Sequence, residues 1–409
     1  MFRSSEKKII ALDLGSSFIR GAVMQKSPKS DNLQILSYAS ESSKGIRKGY
    51  VVSPEETALV IRSVVAQLEK NIKIKIKGAL VNFNSYQSNV RLIKNAIMVS
   101  RADSEVSQND IDRTISEAES SAVSYNREIL HIIPRNFNLD GEKGIKDPLG
   151  LHGKRLEINV LAIDGFVSHI KNLYKSFALA GLDVEQIVFS PLCNSQAVLS
   201  KKQKELGVAV LDIGASTSSL AVFEEGDLLH AQIFPVGSSH VTNDIAMGFK
   251  LDIEIAEKIK IEYGKCDKQL NKKGVIKLSE IGLDQQFSVS TKELSEVIDA
   301  RILEIFDLVN KELKKIDRAG LLPAGIVLTG GGANLKGLVE FTKKELKLPT
   351  QIGKIINIEE DFEHILSPED ATLCGLFLWA DAAYNLTSSQ NNLSVGEGLF
   401  KRMWRIIVP

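Results

Sequence analysis

The sequence predicts an α/β protein in which one folding unit occurs twice. Three observations carry that expectation. Ile9-Ile10-Ala11-Leu12-Asp13-Leu14-Gly15-Ser16-Ser17 is an apolar run, an Asp, an apolar residue, a Gly and small hydroxyl residues. Val208-Ala209-Val210-Leu211-Asp212-Ile213-Gly214-Ala215-Ser216-Thr217 repeats the pattern about two hundred residues on. An apolar strand follows each, Ile19 to Met24 and Ser219 to Phe223, so each copy reads as a β-hairpin with a small polar tip. The third observation is Ile326-Val327-Leu328-Thr329-Gly330-Gly331-Gly332-Ala333-Asn334-Leu335, an apolar strand, a glycine run and a helix start.

The tips suit phosphate. Glycine lets backbone come close to phosphate oxygens, and hydroxyl and N–H groups donate to them. An Asp at a strand end can hold a hydrated Mg²⁺. One such hairpin alone is commonly just a turn, with Asp and Gly serving local geometry. Two copies after matched apolar runs instead suggest two related domains gripping one triphosphate. The three glycines leave a flat backbone surface for an adenosine, although a plain strand-to-helix connection would also use them.

The elements follow in order. Residues 9–24 and 33–40 read as strands joined by the polar link Ser27 to Asn32. Gly45 to Gly49 is a turn. Pro54 to Lys70 has helical spacing at Ala58, Ile61, Val64, Val65 and Leu68, with Ser53 as cap and Pro54 first. Residues 79–83 are a strand. A different block follows: strands over 88–100, a helix from Gln108 to Ser121 opened by Ser107, and strands over 127–134 and 155–163. It reads as an insertion in the first domain.

Helices are then expected over Val167 to Ala180, stopped by Gly181, and over Asn194 to Ser200, with a strand at Ile187 to Phe189 between them. After the second hairpin, helices are expected from Gly237 to Gly248, from Ile253 to Tyr263 with Gly264 as stop, and from Lys292 to Lys315. Lys268 to Gly274 is a polar loop. Leu338 to Leu346 and Glu369 to Tyr384 are the last body helices.

The chain has 409 residues, 44% hydrophobic and 25% charged, which suits two to four soluble domains. Lys+Arg and Asp+Glu are both 51, so no net field draws the body to nucleic acid. Three scattered cysteines without a C-x-x-C suggest a reducing cytoplasm. The start lacks a signal-peptide core, and no apolar run is long enough to span a bilayer.

Residues 385–397 are polar without apolar period and read as a linker. Beyond it, a helical winding puts Leu399, Phe400, Met403, Trp404 and Ile407 on one face and Lys401, Arg402 and Arg405 on the other. That is the composition of an interfacial membrane anchor for an anionic surface. A helix docking on the body, or on a partner, is the alternative. Each basic residue adds about 1 kcal/mol on anionic lipid, and each large apolar residue at most ~1.5–3 kcal/mol. Folding the tail costs roughly 1–2 kcal/mol per residue, so one tail binds weakly and several on one assembly bind well.

Beyond the two hairpins and the glycine run, further stretches carry a family resemblance. These are Lys44-Gly45-Ile46-Arg47-Lys48-Gly49, Arg127-Glu128-Ile129-Leu130-His131-Ile132-Ile133-Pro134, Gly144-Ile145-Lys146-Asp147-Pro148-Leu149-Gly150 and Arg155-Leu156-Glu157. With Ala256 to Lys260, Tyr263-Gly264 and the tail, they make the chain resemble the FtsA family of bacterial cell-division proteins over nearly its whole length. That family lies within the actin and heat-shock chaperone ATPase fold.

The resemblance implies a duplicated, ribonuclease H-like ATPase fold with an inserted α+β subdomain of SHS2 type and a C-terminal amphipathic helix. It divides the chain into 1–83 with 164–200, an insertion at 84–163, 201–235 with 306–384, a subdomain at 236–305, the linker and a membrane helix at 398–409. It implies ATP and Mg²⁺, with Asp13, Gly15, Ser16 and Ser17 forming one phosphate loop and Asp212, Gly214, Ser216 and Thr217 the other. Asp13 and Asp212 would serve the metal. Gly331, Gly332 and Ala333 would lie along the adenosine, and Glu257 and Lys260 would border base and ribose. It further implies actin-like filaments on the inner face of the cytoplasmic membrane at the division septum. The C-terminal peptide of FtsZ would dock on 236–305 near Arg301, and later division proteins would be recruited.

Two departures from the family pattern stand out. The usual second loop is Asp-Ile-Gly-Gly-Gly-Thr-Thr-Asp. Here Ala215 and Ser216 add Cβ atoms, and Ser219 replaces the final carboxylate. Hydrolysing relatives carry an acid or Gln just before that domain, where this chain has Ser190, a short side chain and a poor base. Slow or negligible hydrolysis is the expectation, with ATP as a clamp. A sugar or acetate kinase, a chaperone ATPase and a type IV pilus scaffold share the fold. The first lacks its base here, the second its peptide domain, and the third has no need of the tail.

Overall fold

The structure, a computed structural model, describes residues 8–28, 30–266, 274–277, 288–359 and 367–388. The tail residues Leu399, Phe400, Lys401, Arg402, Met403, Trp404, Arg405 and Ile407 lie outside the described residues, as does the loop expected over 268–274, its last residue excepted.

Two five-stranded sheets share one topology. In the first, Ile9–Leu14 pairs antiparallel with Phe18–Lys26, which pairs antiparallel with Leu33–Ser42. On its other side Ile9–Leu14 runs parallel to Gly78–Phe83, which runs parallel to Asp183–Phe189. In the second, Val208–Ile213 pairs antiparallel with Ser218–Glu224 and that with Asp227–Phe234. On its other side Val208–Ile213 runs parallel to Ile326–Thr329 and that to Thr350–Ile352. The central strand of the second sheet is buried on both faces, and that of the first is buried from Ala11 to Leu14, which is why both read as apolar runs without alternation. The repeat in the sequence is thus a repeat of the fold.

The insertion is a four-stranded antiparallel sheet in the order Asn89–Met98, Arg155–Phe166, Arg127–Leu139, Glu142–Ile145, covered by the helix Gln108–Ala122. Ser107 and Asp110 form a reciprocal capping box at that helix start. The insertion also reaches the second half, where Lys146 pairs with Asp227 at the sheet edge.

Chain crossings join the halves. The helix Ser190–Val198 leads from the first sheet to the second, and the helix Ala371–Ser388 packs back onto it. A Cβ on Gly375 would collide with the Cys193 carbonyl, so these helices meet backbone to backbone at close range.

Some sequence expectations shift. The first crossing helix spans Ser190–Val198, not Asn194 to Ser200, because Pro191 sits in its first turn and Leu199 turns extended. Ser53 stands at the N-cap of Pro54–Ile72, but its side chain makes no cap bond; Thr57 Oγ1 bonds its carbonyl at 2.9 Å instead. Gly264 ends Ile253–Tyr263 with φ of −60°, not in the left-handed region. It is glycine because a Cβ would strike the Lys260 carbonyl. The last helix continues to Ser388, past Tyr384. The strands Asp227–Phe234 and Thr350–Ile352 and the short helix Lys201–Leu206 were not expected.

Candidate nucleotide-binding cleft

The two hairpin tips face each other across a cleft of about 370 Å³. Each tip is pinned by its own geometry. A Cβ on Gly15 would lie 2.6 Å from the Phe18 carbonyl, and one on Gly214 2.9 Å from that of Thr217. The tips touch directly: Ser216 Oγ donates to Ser16 Oγ at 2.6 Å. A second cross-cleft bond runs from Asn84 Nδ2 to Thr217 Oγ1 at 2.9 Å.

Asp13 and Asp212 end the two central strands and line the cleft floor. Burial pushes the Asp13 carboxyl up to about 7; Arg20 opposes this, and Asp212 and Asp370 add to it. Burial pushes Asp212 up to about 6, against Asn194 and Arg20. Asn82 holds Asp13 through Nδ2 at 2.7 Å and takes Leu14 N–H on its own oxygen at 2.7 Å. Gly330, with φ of +80°, stands where any Cβ would collide with Asp212 Oδ1.

The third element forms a side of the cleft. Gly331 and Gly332 line it, whereas Ala333 is buried behind them. Glu257 and Lys260 line it too, joined at 2.7 Å, and Lys260 also donates to Thr242 Oγ1 at 2.9 Å. The expected site residues therefore converge, with two adjustments: Ser216 is spent on Ser16, and Ala333 backs the glycine surface. Arg301 is half-buried and committed, bonding Asp244 at 2.7 and 2.9 Å and pairing with Glu304.

The structure adds residues that the sequence reading did not single out. Arg20 is the register partner of Asp13 and bridges to Glu369 at 3.3 Å and Asp370 at 3.5 Å. Asn82 and Thr372 also line the cleft. The available signal was a lone polar residue inside an apolar strand, as in Gly78-Ala79-Leu80-Val81-Asn82-Phe83. Ser190 is buried and accepts from Asn82 Nδ2 at 3.2 Å, so it sits beneath the acids and does not line the cleft.

The donor set fits a magnesium nucleotide. Mg²⁺ is held by one or two carboxylates together with phosphate oxygens and water. Two buried acids beside one arginine leave a carboxylate surplus that a divalent cation would offset. Among the described residues no group of three or more His, Cys, Asp or Glu forms an all-protein metal cage.

Duplicated sheets around an acid-floored cleft define the class of protein. The fold is actin-like. A structure titled PilM-PilN type IV pilus biogenesis complex is similar with a TM-score of 0.65 at 17% identity, over 90% of this chain and 97% of that one. MreB5 of Spiroplasma citri bound to ADP is similar with a TM-score of 0.55 at 14% identity, over 95% of this chain and 99% of that one.

Sequence comparisons narrow the class. The family model "Cell division protein FtsA" matches residues 209–375, and "SHS2 domain inserted in FTSA" matches 88–163. Cell division protein FtsA of Neisseria meningitidis is 32% identical over 91% of this chain and 89% of its own length. That of Pseudomonas aeruginosa is 31% identical over 92% of this chain and 89% of its own. The chain belongs to the FtsA family of cell division proteins. Among the described residues no helix is long and apolar enough to cross a membrane.

Proposed function

We propose that this chain binds ATP with Mg²⁺ in the cleft, assembles into actin-like filaments, and tethers FtsZ to the inner face of the cytoplasmic membrane at the division septum. Family membership supports the division role. The observation that carries the nucleotide reading is the pair of buried acids, Asp13 and Asp212, set beneath two phosphate loops that face one another. Backbone and hydroxyls of Gly15, Ser16, Ser17, Gly214 and Thr217 take the phosphates. Asp13 and Asp212 take the cation, and Arg20 adds positive charge beside them. The cation screens the phosphates when bound. Adenosine lies against Gly331 and Gly332, with Glu257 and Lys260 at its edge.

Turnover is slow in this reading, because the Ser190 hydroxyl is short, buried, bonded to Asn82 and a poor base for a water. ATP acts as a clamp on the two halves and so on filament state. The FtsZ peptide docks on 236–305, where an acidic segment must compete with Asp244 and Glu304 for Arg301. The face of Leu399, Phe400, Met403, Trp404 and Ile407 enters an anionic membrane, and later division proteins are recruited there. A type IV pilus scaffold is the alternative, favoured by the similarity to the PilM-PilN structure.

Co-sedimentation with anionic liposomes tests the reading, for the full chain and for one ending at Glu397, with and without ATP. Binding by the full chain only, steeper with ATP and with protein concentration, is expected. Equal binding by both chains would remove the anchor and reopen the scaffold alternative.

A further inference from the structure

One buried amide ties the acid of the first phosphate loop to the start of the first crossing helix. Asn82 lies near the end of Gly78–Phe83, the strand between Ile9–Leu14 and Asp183–Phe189, and is 3% exposed. Leu12 pairs with Val81, and Val188 with Asn82. The amide therefore stands beside Asp13 on one flank and beside the strand that leads into Ser190 on the other.

Backbone chemistry fixes which way the amide points. Leu14 N–H can only donate, so the Asn82 atom 2.7 Å from it is Oδ1. Nδ2 then faces two acceptors, Asp13 Oδ1 at 2.7 Å and Ser190 Oγ at 3.2 Å. Both amide protons are committed. Ser190 is 1% exposed and opens the helix Ser190–Val198. The backbone just before it is anchored separately, where Phe189 N–H donates to His131 Nε2 at 3.0 Å.

The rest of the strand is Gly78-Ala79-Leu80-Val81 and Phe83, all buried. An apolar residue would suit position 82 as well, and a buried amide is costly unless it is bonded throughout. Among the described residues, Asn82 gives the Asp13 carboxylate its one hydrogen bond, on Oδ1. That bond restrains rotation of the carboxylate and leaves Oδ2 without a protein donor.

We infer that Asn82 is a positioning residue that presents the second oxygen of Asp13 to the cation of the bound nucleotide, and that the Ser190 hydroxyl holds Asn82 in place. This rests on the magnesium–nucleotide reading of the cleft. Ser190 begins the crossing to the second half, so the aim of an acid in the first half depends on where that crossing starts.

The test uses the full chain and a fluorescent ATP analogue, titrated in Mg²⁺ and in EDTA. Asn82→Ala should weaken binding about tenfold in Mg²⁺ and leave it within about twofold in EDTA, the size of one hydrogen bond to a charged group. Ser190→Ala should move the same way by about threefold. It removes a single oxygen and guards against a fold defect in Asn82→Ala. The double variant should bind no more weakly than Asn82→Ala, because Ser190 acts only through the amide. Equal losses with and without Mg²⁺, no loss in either single variant, or a double variant weakened by the product of the two losses would overturn the inference while leaving the nucleotide reading intact. A parent chain that binds no analogue, or binds it without help from Mg²⁺, would overturn both.

Discussion

Lys204 offers a direct check on how burial sets energies in this fold. It lies on the short helix Lys201–Leu206, opened by a Ser200–Gln203 capping box, and is 3% exposed. No carboxylate pairs with it among the described residues. Its Nζ sits 5.1 Å from the Phe223 ring centroid and 3.5 Å from Gln196 Oε1. Burial, with a smaller push from Lys201, lowers its pKa from 10.5 to about 8. That drop converts to about 3 kcal/mol of folding free energy lost while the group is charged. The sign follows from which state holds the proton. Below about pH 8 both folded and unfolded chains carry it and the cost is complete. As pH rises from about 8 to 10.5 the folded chain sheds it first, so stability rises across that window. Lys204→Met keeps the stem, removes the charge and forfeits a cation–π contact of about 0.5–1 kcal/mol. It should therefore stabilise the chain by roughly 2 kcal/mol at pH 7 and by almost nothing near pH 10.5. Urea unfolding at both pH values measures this. A variant less stable than the parent at pH 7, or a gain independent of pH, would refute the reasoning.

Gly330→Ala should cost about 1–2 kcal/mol for a left-handed residue and displace Asp212, lowering Mg²⁺-dependent nucleotide affinity at least tenfold in a fluorescence titration. His131 is held neutral, its pKa lowered to about 3 by burial, and its Nε2 accepts Phe189 N–H at 3.0 Å. The unfolded chain takes that proton first, so stability falls as pH drops below 6.5, by about 2 kcal/mol at pH 5; His131→Gln should flatten that acid limb in a denaturation series. Gly375→Ala forces the crossing helices apart and should destabilise by roughly 1–3 kcal/mol in thermal unfolding. A double-mutant cycle of Ser16→Ala and Ser216→Ala, read by chemical unfolding, should return about 0.5–1.5 kcal/mol of coupling for the bond between the tips; zero coupling would mean the tips do not hold each other.

Periodic and doubly buried elements were legible. The central strands announced themselves as apolar runs, and Gln108–Ala122 by its capping residues. The first crossing helix was misplaced for a physical reason. Ser190–Val198 is buried nearly all round, so it has no apolar stripe to count, and only Pro191 marks its start. Thr350–Ile352 is three residues long, too short for a period of two to show. Gly264 was found for the wrong reason, since close approach to the Lys260 carbonyl, and not a left-handed turn, requires it.

The cleft was legible where it repeats and hidden where it does not. The Asp, Gly and hydroxyl pattern occurs in both halves, so comparing them exposed it. Seven residues past each Asp the halves diverge. The cross-strand partner of Asp13 is Arg20, and that of Asp212 is Ser219. Ser219 Oγ is buried without a bonding partner, so the second half has neither the carboxylate usual in the family nor a cation of its own at that place. Arg20 lowers the pKa of both Asp13 and Asp212, which makes one guanidinium the shared counter-charge of two halves. When two copies of a fold face one cleft, a single cation on one of them can reach the acids of both. The same facing explains why Ser216 is tolerated in place of glycine: its hydroxyl is taken up by Ser16 of the opposite tip. Neither compensation lies within one hairpin, and both become visible only when the two are set against each other.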